Sequence, residues 1–432
     1  MNKITVNMSK ELGEETFVTT LKNGLKVCIC KKPGFEKKIG MFGTKYGSIT
    51  NHFVDITTGK ETKVPDGIAH FLEHKLFEKE GANALDLFSK MGVSSNAYTS
   101  FDQTVFYFET IDKFDKSVEM LVKLIKEPYF TDENVQKEQG IIGQEISMYD
   151  DEPNFMVYFN ALRAMYIKNP VRIDIAGTIE SISHITKDLL YTCYNTFYSP
   201  QNMFFLVVGD VDVEKTISLI EENIKKYEED YDNKKEIVNI EKFSEKEPDE
   251  INTKEIIGNM DIYMPLICIG YKLNVVDGKT SLKRQIISEF ISDMYFSKLS
   301  DFYEEEYNKG LISEELSFDY EGSNEFSHII ISGSSVNIDE LKNDLINYFD
   351  RLKEKDIDLD LFNLIKKKKI GYTCLCADNL NISYRRIIDS IINDTKIYGD
   401  IDILNSITPD DIKEFLNLLD SKKQVVSIIN QK

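Results

Sequence analysis

The sequence predicts an α+β fold of two tandem homologous domains, each a mostly antiparallel β-sheet packed with α-helices. Three observations carry this expectation. The 432 residues exceed one ordinary core and suggest roughly two to three domains. Strand-like runs with hairpin turns are interspersed with segments of helical period, and after residue 255 the pattern begins again.

In the first half, "TFVTTLKNGLKVCICKK" sets Asn23-Gly24 between β-rich runs, the strongest short hairpin signal, and "KIGMFGTKYGS" follows as a strand. Residues 67–78 and 82–91 read as helices, and "VSSNAYTSFDQTVFYFET" alternates as a strand pair. Residues 113–126 and 133–150 are helical by their i, i+3/i+4 apolar spacing, and "NMFFLVVGDVD" at 202–212 is a buried strand. The acidic and lysine-rich run that follows has little periodicity. It divides the chain into a first half of residues 1–225, a linker of 226–255 and a second half of 256–432.

The second half echoes the first. Pairing Gly143 with Gly371 gives an offset of 228, and pairing Ile185 with Ile407 gives 222. Two nearly equal offsets imply a duplicated domain with a short insertion. In this register Lys366 falls opposite Glu138 and Thr373 opposite Glu145, and the second half holds one histidine, His328. Metal chemistry therefore belongs to the first half.

Composition narrows the function classes. With 42% apolar and 29% charged residues the chain is globular, and its net charge of −21 repels nucleic acid and anionic membranes. A peptide or small molecule fits better as a partner. No window approaches 18 uninterrupted apolar residues, and the first residues lack the apolar core of a secretory signal. The pairs Cys28/Cys30 and Cys374/Cys376, with Cys193 and Cys268, lack zinc-knuckle or thioredoxin spacing. They read as buried free thiols, which points to a reducing cytoplasm.

The chemistry concentrates in "DGIAHFLEHKLFEKE", residues 66–80. His70 and His74 project from one helical face with Glu73 beside them, a metal-ligand pair with a base attached. Chance would place such a pattern in a chain of this composition about 0.01 times. A catalytic zinc takes three protein ligands and leaves a position open, so a third must come from elsewhere. The helix 133–150 offers Glu138 and Glu145, two turns apart on one face. Spacing alone leaves both the ligand and the solvated-face readings of these glutamates open. Glu73 would serve as general base, taking a proton from the attacking water and returning it to a leaving amine. That combination is peptide hydrolysis.

The order H-x-x-E-H is the inverzincin signature. The chain resembles the pitrilysin/insulinase family of zinc metallopeptidases, among its short bacterial members. The resemblance is densest in "VPDGIAHFLEHKLFEKE", "NAYTSFDQT", "IKEPYFTDENVQKEQGIIGQEISMYDDEP", "DIAGTIESI" and "YNTFYSPQNM". It implies one Zn2+ per chain held by His70, His74 and Glu145, with Glu73 as the base and Glu138 as an auxiliary acid supporting the metal shell. It also implies that Asn96, Ala97 and Tyr98 form a substrate edge, where an extended peptide adds as a strand.

One departure bears on partners. Family members that work alone, or their partner subunits, carry an Arg and a Tyr in a second-half segment resembling R-x-x-x-G-L-x-Y, which the resemblance implies would hold the substrate carbonyl. Aligned on Gly310-Leu311, "EEEYNKGLISEEL" places Glu306 and Ser313 there, and an acid cannot donate to an oxyanion. The resemblance thus implies a heterodimer in which a sister subunit supplies the donors. Local substitution by Tyr384, Arg385 and Arg386 is the lesser reading, since an exposed basic pair on a helix more often faces solvent or an interface. His52 in a surface hairpin, His184 at the start of the helix "HITKDLL" and His328 in a strand are expected to be structural. The competing function is a peptide-binding scaffold that retains the metal without catalysis.

Overall fold

The structure, a computed structural model, describes residues 3–229, 231 and 239–432. The expected α+β architecture is present, with sheets dominated by antiparallel pairs. The chain forms two compact units. One comprises Met1–Ile146, Asp174–Ser244 and Cys374–Ile392; the other comprises Ser147–Ile173, Glu245–Thr373 and Asn393–Lys432.

The first unit is built on a seven-stranded sheet in the order Thr5–Ser9, Glu14–Thr20, Lys26–Lys31, Met203–Gly209, Lys38–Thr44, Thr104–Thr110, Ser94–Thr99. Every neighbouring pair is antiparallel except Lys26–Lys31 with Met203–Gly209. The Asn23-Gly24 turn forms as expected: Gly24 takes φ +95°, and the Asn23 side chain accepts the Leu25 N–H at 3.1 Å. "MFFLVVG" is buried at every position, which explains why it reads as an unbroken apolar run rather than an alternating one. Val27, Ile29, Phe42, Phe106, Phe108, Phe205 and Val207 belong to one core with the helices Ile68–Phe77 and Phe114–Lys126. Each fully buried side chain of this kind contributes about 1.5–3 kcal/mol. Ser94–Thr99 ends the sheet, so its outer edge has no strand partner among the described residues.

The second unit carries a five-stranded sheet in the order Glu255–Met260, Gln424–Gln431, Leu266–Lys272, Ser327–Ser334, Ser317–Gly322. Its first pair is parallel and the rest antiparallel. The same arrangement of one parallel pair followed by antiparallel neighbours occupies the last five strands of the larger sheet, as a duplication requires. Each unit also takes one helix whose sequence neighbours lie in the other. Leu380–Ile392 packs on Met203–Gly209, and Pro153–Met165 packs on Leu266–Lys272 and Gln424–Gln431.

Three expectations need correction or refinement. Cys28, Cys30, Cys193, Cys268 and Cys376 are buried free thiols, but Cys374 is exposed near the end of the helix Leu359–Leu375. His184 does not start a helix. The Thr186 hydroxyl accepts the Leu189 N–H and caps Lys187–Phe197, while His184 ends the preceding turn of helix. Parts of the linker are tied down: Glu241 O accepts the Val54 N–H at 2.9 Å, and the Glu247 carboxylate accepts the N–H groups of Ile167, Lys168 and Asn169 at 2.7–2.9 Å. Linker residues 230 and 232–238 lie outside the described residues. His52 sits on a short hairpin with Nε2 2.6 Å from Glu61, and His328 is fully buried with Nδ1 2.9 Å from the Tyr166 hydroxyl; both are structural as expected.

Candidate metal centre

The first unit holds the whole of the histidine motif and its neighbours. The motif helix Ile68–Phe77 begins at Gly67, whose φ of +88° is in the left-handed region. A Cβ there would sit 2.3 Å from the Ala176 carbonyl oxygen, and one at Gly177 would sit 2.5 Å from the Asp66 oxygen. Two glycines thus let the "DIAG" backbone press against the start of the motif helix, and the Ser181 hydroxyl donates to Asp66 O at 2.9 Å. The apolar residues Phe71, Leu72 and Leu76 bury one side of the helix and turn His70 and His74 outward. The long helix Asp132–Asp150 buries Val135, Glu138, Ile142 and Ile146, and thereby places Glu138 and Glu145 towards the motif helix.

Four side chains meet there. His70 Nε2 is 3.8 Å and His74 Nε2 3.6 Å from the two Glu145 oxygens, and the histidine rings lie 4.5 Å apart between centroids. These separations are too long for good hydrogen bonds. They match two donors on one tetrahedral zinc, each about 2.1 Å from the ion and so about 3.4 Å from each other. Ligand atoms of His70, His74 and Glu145 all lie within 4.8 Å of one another, which no other trio of metal-capable side chains achieves among the described residues. The donor set of two imidazoles and one carboxylate fits zinc.

The surroundings prepare these donors. His74 Nδ1 lies 3.1 Å from Glu138 Oε1, and a carboxylate can only accept, so Nδ1 carries a proton and Nε2 is the ring nitrogen turned towards Glu145. Burial would lower the His74 pKa, but the Glu138 hydrogen bond and the charges of Glu73, Glu138 and Glu145 outweigh it and raise the value. Burial would raise Glu138, but His74 and Lys75 together hold it below the usual carboxylate range. His70 is pulled down to about 3, chiefly by burial and then by the His74 charge, so it stays neutral as a ligand must. Its Nδ1 is buried without a hydrogen-bond partner among the described residues.

Glu73 is 8% exposed, and burial lifts its carboxyl above the ordinary value. The Thr99 hydroxyl donates to Glu73 Oε2 at 2.7 Å and partly opposes that rise. Thr99 is the last residue of the edge strand, so the structure ties the expected substrate edge to the expected base. Nothing in the histidine motif signals this; the pattern "NAYTS" contains the residue without revealing its partner. Along the same strand, the Ala97 N–H is held by the Asn96 side chain at 2.9 Å, and Asn96, Ala97 and Tyr98 pair across with Tyr107, Phe106 and Val105. Burial raises the Tyr98 hydroxyl, and the charges of Tyr384 and Asp389 add to this while Arg385 opposes it.

At the second-half positions a buried carboxyl and an exposed serine hydroxyl stand where the resemblance implies Arg and Tyr. Glu306 is 1% exposed, burial raises its carboxyl, and Lys309 Nζ donates to it at 2.8 Å. The Ser313 carbonyl receives the Tyr303 hydroxyl at 3.4 Å. Of the basic pair, Arg386 is bound within the first unit, 3.9 Å from the buried Glu14 carboxylate, whereas Arg385 is exposed.

Residues 45–179 match the family model "Insulinase (Peptidase family M16)", and residues 184–369 match "Peptidase M16 inactive domain". The uncharacterized zinc protease YmfH of Bacillus subtilis is 39% identical over 94% of each chain. The chain belongs to peptidase family M16. A putative M16-like peptidase from Alicyclobacillus acidocaldarius superposes with a TM-score of 0.92 at 32% identity, covering 98% of this M16 chain and all of that one. A Helicobacter pylori protease shares the fold at a TM-score of 0.81 and 20% identity, covering all of both chains. The mitochondrial-processing peptidase subunit beta of Caenorhabditis elegans is 31% identical over 48% of this chain and 44% of its own length. The pitrilysin-like fold expected from the resemblance is thereby established, and relatives named zinc proteases support a peptidase role. No helix among the described residues is long and apolar enough to cross a membrane.

Proposed function

We propose that this M16 chain is a zinc-dependent endopeptidase acting on extended peptides, with one zinc held by His70, His74 and Glu145. The observation that carries the reading is the approach of both Nε2 atoms to the two oxygens of Glu145, with the buried Glu73 one residue before His74. When bound, zinc supplies a Lewis acid that polarises the scissile carbonyl and acidifies a water. Glu73 takes the proton of that attacking water on its carboxylate and delivers it to the leaving nitrogen. Its raised pKa suits both duties, because a weakly basic carboxylate would hold the proton poorly. Thr99 aims the Glu73 carboxylate, and Glu138 keeps the His74 ring in place. The substrate backbone pairs with the outer edge of Ser94–Thr99, near Asn96, Ala97 and Tyr98.

The donors that steady the substrate carbonyl come, in this reading, from a sister subunit of the same family. The buried, lysine-paired Glu306 supports that part, as does the similarity to a protein named as a processing-peptidase subunit. The cytoplasm remains the proposed compartment, since five of six cysteines are buried and free. The test compares wild type with Glu73→Gln on an unstructured peptide, with the sister subunit present. Glu73→Gln should keep its zinc and peptide binding but lose cleavage. A variant as active as wild type would remove Glu73 from the reaction, and a zinc-loaded wild type that binds peptide without cutting it would favour the scaffold reading.

A further inference from the structure

Lys75 follows the second histidine of the motif, and its side chain is 0% exposed. An ammonium taken fully out of water costs several kcal/mol unless its partners repay it. Three partners surround it: the carboxylate of Glu78, the residue that caps the end of the motif helix, the Asn134 carbonyl at 3.2 Å and Glu138 Oε2 at 3.5 Å. The last two belong to the long helix that also carries Glu145. Glu138 therefore divides its oxygens, Oε1 to His74 Nδ1 at 3.1 Å and Oε2 to Lys75.

We infer that Lys75 is a positioning residue of the metal centre: its ammonium anchors Glu138 so that the carboxylate fixes the His74 ring with Nε2 facing Glu145. The inference rests on the metal reading above and adds to it a cation that the histidine motif does not require. A lone positive charge beside a cation site would repel the metal. Here two carboxylates, Glu78 and Glu138, face one ammonium, so the group as a whole stays anionic. Without Lys75, Glu138 would keep its His74 contact but lose the anchor that sets its orientation, and it would remain buried with no cation opposite. A purely structural role, in which Lys75 only bolts two helices together, predicts a stability loss with no specific effect on metal.

The test is a double-mutant cycle on the full-length protein, read as the zinc dissociation constant by competition with a chromophoric chelator. The melting temperature of the zinc-free protein and the visible absorption of the cobalt-substituted form are measured alongside. Lys75→Met should weaken zinc binding about tenfold, the size typical of a lost partner behind a metal ligand, and should alter the cobalt spectrum. Glu138→Gln should weaken it by a similar factor. The double variant should bind no more weakly than Glu138→Gln alone, because a neutral amide leaves Lys75 no charge to anchor. A Lys75→Met constant within twofold of wild type, or losses that multiply in the double variant, would overturn the inference. If Lys75→Met alone does not fold, the comparison of Lys75→Met/Glu138→Gln with Glu138→Gln decides: equal affinity supports the coupling, and a further loss refutes it. A wild-type chain that takes up no zinc would overturn the metal reading itself and this inference with it. Zinc binding unchanged by Lys75→Met would overturn the inference alone.

Discussion

Thr99→Val probes the link between the edge strand and the base. Valine keeps the β-branched shape and the strand pairing but removes the hydroxyl that donates to Glu73 Oε2 at 2.7 Å. A hydrogen bond to a buried carboxylate in the charged form that acts as base is worth about 1.5–3 kcal/mol. If that energy orients the base in the transition state, its loss lowers kcat roughly 10- to 150-fold. KM should change little, since the substrate pairs with backbone atoms that valine leaves in place. Zinc content should stay at the wild-type level, because Thr99 touches none of the three proposed ligands. The assay is steady-state cleavage of an unstructured fluorogenic peptide by the chain with its sister subunit. Thr99→Ser serves as the rescue variant, as it restores the hydroxyl but not the methyl group. A Thr99→Val enzyme with wild-type kcat, or a Thr99→Ser enzyme as slow as Thr99→Val, would refute the positioning of Glu73 by Thr99.

Two further predictions follow from other parts of the chain. Ala97→Pro removes the backbone N–H that the Asn96 side chain holds at the proposed substrate edge and that an added strand would take over, while leaving the metal ligands untouched; it should raise KM for an extended peptide tenfold or more at unchanged zinc content, and unchanged KM would exclude pairing of the substrate with the Ala97 N–H. Glu247 is a stability anchor in the second unit: burial would raise its carboxyl, but the N–H of Ile167, the Lys272 ammonium and the N–H groups of Lys168 and Asn169 together hold it below the ordinary value. A depressed carboxyl contributes its full stability above the ordinary value of about 4.3 and loses it as pH falls through the folded value. Glu247→Gln should therefore cost about 1–3 kcal/mol at pH 7, with the gap from wild type closing below about pH 4 in denaturant titrations. A gap independent of pH would contradict that role.

The sequence was most legible where a single element carries the information. His70, Glu73 and His74 lie within one helix, so their spacing alone fixes their common face. The hairpin at Asn23-Gly24 and the unbroken strand 203–209 are equally local. Glu145 was harder, because a carboxylate seven residues from another shares its face whether that face meets solvent or a metal. Packing of the long helix through Val135, Ile142 and Ile146 turns that face towards the histidines. The exchange of the helices Pro153–Met165 and Leu380–Ile392 between units has no sequence signature, since an apolar stripe says that a helix is covered and not which sheet covers it. Thr99 and Lys75 escaped for a related reason: a hydroxyl in a strand and a lysine in a helix are ordinary until the fold shows what they touch. Cys374 shares the apolar context of its neighbour Cys376, yet it ends up exposed.

Zinc per chain, measured by elemental analysis on purified wild type beside Glu145→Ala and Glu138→Ala, each shown to be folded, tests the His70, His74 and Glu145 centre most directly. About one zinc is expected in wild type, with its loss in Glu145→Ala and substantial retention in Glu138→Ala, since Glu138 supports a ligand without being one. Folded wild type that takes up no zinc when zinc is offered, or equal retention in the two variants, would contradict the centre formed by His70, His74 and Glu145.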